Sequence, residues 1–227
     1  MLTLDQRITV LGQSMVFSSL TAEEMAELAG LCRVRDIGTG EYVFMEGEAP
    51  HWLYMVAEGR VKVLKHSTQG KEFIISFFGP GEMFGEVAIF QDKPYPASAQ
   101  AASELKVLAI SREDFHAFLH SRPETVFRII HVLSSRLRDA QVRLRDLAAE
   151  RVEQRLARVL IMLVSRLGPV LPFTRQEIAD MVGTTPETAI RLMSKLKDAG
   201  IIVSSRGRTE ILDEARLREI SEGLQPV

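Results

Sequence analysis

The apolar residues of this chain change period at Pro123, and that change limits the fold more than any other feature. Upstream, from about Val34 to Ile110, short apolar runs are cut by glycines: EYVFMEGE, HWLYMVAEGRVKVLKH, KEFIISFFGPGEMFGE and SELKVLAI. Short runs with regular glycine turns predict an antiparallel sandwich, barrel or jelly roll. Downstream, Val126, Ile130, Leu133, Leu137, Ala140, Leu144 and Leu147 follow alternating steps of four and three residues. That is the a/d stripe of one long helix. A helix packed on its own domain carries a wider stripe, so the pattern predicts a parallel coiled-coil seam with a second copy of the chain.

The 227 residues suit two unequal domains. In front of the β-region, Thr21 and Glu24 stand in capping-box spacing, which predicts a short helix. A net charge of −2 excludes nucleic-acid binding through bulk electrostatics but leaves room for a local basic face. No apolar run approaches a membrane span, and the amino terminus carries charge where a signal peptide would be apolar, so a cytoplasmic protein without a membrane partner is expected. Cys32, the single cysteine, reads as a buried structural thiol and excludes both an internal disulfide and a four-thiolate iron–sulfur cluster within one protomer.

After Arg151 a broad-faced helical pattern ends at Gly168-Pro169, and local rules then build FTRQEIADMVGTTPETAIRLMSKLKDAGII. Thr174 and Glu177 open a helix that Gly183 stops. Thr185 caps the next, with Pro186 where its missing N–H costs nothing, and Gly200 ends it. On the second helix Ala189, Leu192 and Leu196 face inward, and Glu187, Thr188, Arg191 and Lys195 face outward. In a helix-turn-helix that end enters the major groove, where Arg clasps guanine and Glu accepts from cytosine N4. SSRGRTEIL reads as a hairpin wing with Gly207 between Arg206 and Arg208. From Thr185 to Thr209 five cations stand against two carboxylates.

These segments resemble the bacterial regulators named for the cyclic-AMP receptor protein and the fumarate and nitrate reduction regulator (CRP/FNR). GEYVFMEGE and LYMVAEGRVKV are similar to the family's jelly-roll strands, MFGEVAIF to the start of its phosphate cassette, and the 174–202 segment to its winged helix-turn-helix. The implied fold class is α+β: a jelly roll with short N-terminal helices (1–120), a dimerisation helix (121–149) and a winged helix-turn-helix (150–227). The implied function is a homodimeric, non-enzymatic transcription regulator that binds a pseudo-palindromic duplex and contacts RNA polymerase. In relatives, residues matching Glu187 and Arg191 read bases, and those matching Thr174, Arg175 and Gln176 approach the backbone. Thr185, Thr188, Lys195, Arg206 and Arg208 complete the expected DNA face. Pro186 stands where relatives often place a base-reading side chain.

The cassette departs from the cyclic-nucleotide pattern. Gly85, Glu86 and Ser98 match, with Val87 beside them, but the phosphate-binding arginine is Ala97, with one extra residue between it and Phe90. Ala140-Gln141 stand where relatives carry the Thr-Ser pair that reaches adenine, and Arg136 is the cation that could substitute. The sequence therefore disfavours a cyclic nucleotide. Heme stays open because some relatives sense diatomic gases and His51, His66, His116, His120 and His131 are available; a small metabolite stays open too. His116 and His120 have a zinc-compatible spacing without a third ligand, so no metal is expected.

Overall fold

The computed structural model describes residues 2–67 and 72–224, apart from the side chains of residues 143, 147 and 148. The chain divides into two compact units, Met1–Arg138 and Asp139–Val227.

The first unit opens with α1 (Leu4–Gly12) and α2 (Ala22–Leu31), each started by a complete capping box, Thr3 with Gln6 and Thr21 with Glu24. Eight antiparallel strands follow: β1 (Arg33–Ile37), β2 (Tyr42–Phe44), β3 (Trp52–Glu58), β4 (Val61–His66), β5 (Glu72–Phe78), β6 (Met83–Phe84), β7 (Ser98–Ala101) and β8 (Leu105–Ser111). They form two sheets, ordered β1-β8-β3-β6 and β2-β7-β4-β5, the jelly roll that the sequence predicts. A short α3 (Glu86–Gln91) sits between β6 and β7, and α4 (Arg112–His120) follows β8. Helical structure thus begins at Arg112, before the change of period at Pro123.

β3 lacks the alternation of a half-exposed strand because both of its faces are covered. Leu53, Met55 and Ala57 join a core with α1, α2 and α4, where Leu11, Leu28 and Phe115 are fully buried. Tyr54 and Val56 join the interior between the sheets. β8 divides in the same way, with Leu108 and Ile110 on the helical side and Val107 and Ala109 on the other. Cys32 is buried in the helical-side core, its thiol donating to the Leu28 carbonyl at 3.2 Å, and burial pushes its pKa up to about 12.

α5 (Pro123–Ala149) carries the unit boundary. Ile129 is buried in the helical-side core of the first unit. The second unit continues with α6 (Val152–Leu167), β9 (Val170–Leu171), α7 (Arg175–Val182), α8 (Pro186–Asp198), β10 (Ile202–Ser205), β11 (Arg208–Ile211) and α9 (Glu214–Ser221). β10, β11 and β9 form a three-stranded sheet, and α6 packs on α7 and α9.

An ion network ties the end of α5 to α6. Arg158 bonds the Asp146 carboxylate, the Glu150 carboxylate at 3.1 Å and the Ser221 carbonyl at 3.1 Å, while Arg145 adds a 2.9 Å contact to Asp146. Burial alone would raise the Asp146 pKa. The two guanidiniums outweigh it and hold the carboxyl below its ordinary value. A depressed folded pKa contributes stability above the unfolded pKa, about 3.9, that disappears as pH falls through the folded value. Asp146→Asn should therefore lower stability by about 1 kcal/mol at neutral pH, the partners being partly open to solvent. In urea melts followed by circular dichroism, that gap should close below about pH 4.

Candidate functional site

The second unit assembles the residues expected to face DNA from local rules. The Thr174 hydroxyl accepts from the Glu177 amide at 3.2 Å while the Glu177 carboxylate accepts from the Thr174 amide at 2.8 Å. Gly183 ends α7 at φ +71°, a left-handed conformation that favours glycine. From α6, Arg155 reaches this turn, donating to the Val182 carbonyl at 3.2 Å and the Gly183 carbonyl at 3.4 Å; it also donates to the Glu150 carbonyl at 3.0 Å. Thr185 caps α8 by accepting from the Thr188 amide at 3.3 Å, and the two hydroxyls bond at 3.1 Å, so both are engaged in the cap. Pro186 occupies the first turn of α8, and Gly200 follows the helix at φ +73°.

Ala189, Leu192, Met193 and Leu196 bury the inner face of α8. Glu187, Arg191 and Lys195 are exposed and Thr188 is half-buried. Among the described residues no hydrogen bond or ion pair joins Glu187 to Arg191, whereas Lys195 approaches Glu153 at 3.8 Å. At the start of α7, Thr174, Arg175 and Gln176 are exposed, with the Gln176 amide donating to Asp180 at 2.9 Å. The wing is the β10–β11 hairpin. Arg206 and Arg208 flank Gly207 at its tip, and Arg208 lies 3.7 Å from Glu210.

In the first unit the cassette forms a cradle whose polar groups are already engaged. Gly85, at φ +83°, leads into α3, and a Cβ there would lie 3.4 Å from the Phe44 and Tyr95 rings. Glu86 is 4% exposed, and Arg136 of α5 donates to it at 2.6 Å and to the Met83 carbonyl at 2.8 Å, its guanidinium stacked 4.6 Å over Phe78. The Ser98 hydroxyl accepts from the Glu46 amide at 2.9 Å. Ala97 is buried and Val87 is exposed. Tyr95 lies against Phe44, ring centroids 3.8 Å apart, and burial raises its hydroxyl pKa. Backbone bonds from Gly47 to Tyr95 and from Tyr95 to Glu48 hold the 46–48 loop against the cassette. Ala140 and Gln141, further along α5, belong to the second unit and are exposed.

The five histidines are all exposed, with His116 stacked on Phe90. Among the described residues no three His, Cys, Asp or Glu side chains gather to hold a metal, and no helix is long and apolar enough to cross a membrane.

The structure divides the residues of the a/d stripe. Val126 and Leu133 are partly buried against the core of their own protomer. Ile130, Leu137 and Leu144 are 51%, 61% and 71% exposed, and Ala140 is exposed. Leu147 lies outside the residues whose side chains are described. Phe127, which the spacing passes over, is 70% exposed and lines a groove of about 610 Å³ with Met15, Pro123 and His131. The Tyr95 ring and the Glu46 amide also line the cradle of the cassette, though no motif in the sequence marks either residue.

Comparison with known proteins gives a consistent picture. The family profile described as a cyclic nucleotide-binding domain matches residues 34–122, and that of a Crp-like helix-turn-helix domain matches residues 154–220. The chain is 32% identical to the cyclic AMP receptor protein of Thermus thermophilus over 93% of its own length and 98% of that protein. It is 29% identical to a CRP-like cAMP-activated global transcriptional regulator of Mycobacterium tuberculosis, over 92% and 96% of the two chains. In structure it is similar to FixK2 of Bradyrhizobium japonicum, with a TM-score of 0.77 at 22% identity, covering 83% of this chain and 96% of that one.

Proposed function

We propose a function from one premise, that the chain belongs to the CRP/FNR family of transcriptional regulators. Such a regulator joins an effector-binding domain to a DNA-binding helix-turn-helix. In our reading it acts as a homodimer on a pseudo-palindromic duplex whose half-sites lie about one helical turn apart, and it communicates with RNA polymerase. Residues 1–120 sense the effector, 121–149 pair the protomers through the exposed side chains of Ile130, Leu137 and Leu144, and 150–227 bind DNA.

The observation that carries this reading is the exposed face of α8, where Glu187 and Arg191 stand without an ion pair between them and keep their hydrogen-bonding capacity for base edges. Thr174, Arg175, Gln176, Lys195, Arg206 and Arg208 supply phosphate contacts, and Thr185 and Thr188 hold the helix end that approaches them. Binding of an effector shifts the population between DNA-competent and incompetent arrangements.

The effector in this reading is not a cyclic nucleotide. A cyclic phosphate needs a cation, Ala97 supplies none, and Arg136 is already neutralised by Glu86. Ser98 is engaged by the Glu46 amide, and the Tyr95 and Phe44 rings fill the space beside Gly85. An anion entering this cradle would have to break these contacts and would leave a buried carboxylate unpaired. A ligand less anionic than a nucleotide fits better. The rival, a cyclic-AMP-responsive regulator, draws on what the relatives are named for.

Arg191→Ala should lose about 1 to 3 kcal/mol on a selected specific duplex and less on random DNA, whereas Arg208→Ala should weaken both alike and flatten the salt dependence. Equal losses for Arg191→Ala on the two duplexes would reduce it to a phosphate contact. Leu137→Glu should shift light-scattering mass from dimer to monomer and abolish duplex binding in gel shifts. Calorimetric titration of ligand-free protein with cAMP should give no saturable heat at micromolar concentration; binding that also tightens the protein–DNA complex would establish the rival.

A further inference from the structure

We propose that Ile190 is a specificity-determining residue that reads the C5-methyl group of a thymine beside the base pair read by Glu187 and Arg191. The inference rests on the reading of α8 as the base-contacting helix. A helix advances about 100° per residue, so around α8 Arg191 lies about 40° to one side of Glu187, and Ser194 and Ile190 lie about 20° and about 60° to the other. All four are exposed, and they form one face opposite the buried Ala189, Leu192, Met193 and Leu196. Ile190 is 37% exposed and is the one exposed apolar side chain of α8 among the described residues.

Local rules do not place an isoleucine there. A β-branched residue is a poorer helix former than Ala, Lys or Glu, and with 37% of its surface open Ile190 forgoes part of the burial that would offset that. On a face turned to the major groove it does gain burial, because the thymine methyl is the apolar feature of the base-pair edges presented there. Isoleucine can make no hydrogen bond to any other base edge, so it discriminates by burying its own methyls against that one group. The Glu187 and Arg191 side chains on the same face would fix the register, so that the methyl contact falls one base step to the side of theirs.

The test starts from duplexes selected by the full-length protein from a random-sequence library. In the preferred duplex each thymine is replaced singly by deoxyuridine, which removes the methyl and leaves the hydrogen-bonding edge intact. The wild type should bind about 4-fold more weakly at one such position in each half-site, the effect of one buried methyl. Ile190→Val should keep that sensitivity and Ile190→Ser should lose it, binding the thymine and uracil duplexes equally. Circular dichroism melts check that both variants stay folded. The proposal is overturned if no thymine is methyl-sensitive, or if Ile190→Ser retains the wild-type sensitivity. Arg191→Ala separates the two readings: if that variant binds the selected duplex as tightly as wild type, α8 does not read bases. If it loses affinity while every deoxyuridine is silent, only the role of Ile190 falls.

Discussion

The first unit depends on two paired strands with no solvent face. β3 and β8 send alternate side chains to a helical layer and to the roll interior, so any shift of register by one residue would exchange Leu53 for Tyr54 and put a phenol among the buried leucines of the helical side. That exchange would also strip Tyr54 of its bond from Arg35 at 3.1 Å. The register is therefore specified from both sides, and it fixes where Phe84 ends β6 and where Gly85 must turn. The cassette inherits its position from this sheet.

Within the cassette, the charge balance matters more than the shape. Arg136 and Glu86 neutralise one another, and removing the half-buried arginine would leave the buried Glu86 carboxylate without its partner. The arrangement is self-contained, with the Met83 carbonyl and the Phe78 ring completing the guanidinium's surroundings. Any ligand contact to Arg136 or Glu86 therefore competes with the pair itself.

The helix-turn-helix was readable residue by residue because its determinants lie within four positions of one another. Thr174 with Glu177, Gly183, and Thr185 with Pro186 act through backbone groups that the sequence itself brings into reach. Glu86 and Arg136 stand fifty positions apart, as Ser98 and Glu46 stand fifty-two apart, and only the folded roll brings each pair together. The long helix α5 shows a different limit. Periodicity finds an apolar stripe but not its neighbour, and α5 carries two stripes: Val126, Ile129 and Leu133 turn to the protomer's own core while Phe127, Ile130, Leu137 and Leu144 remain open. One position of rotation separates them, less than the spacing rule resolves.

Arg155 gives the second unit a mechanical character. A single guanidinium holds the carbonyl of Glu150, where the chain leaves α5, and the carbonyls of Val182 and Gly183, where it turns toward α8. Three backbone carbonyls thus share one planar donor. The fork clamps the start of α6 to the turn ahead of α8, three bonds converging on one side chain that a lysine, with its single nitrogen, could not reproduce.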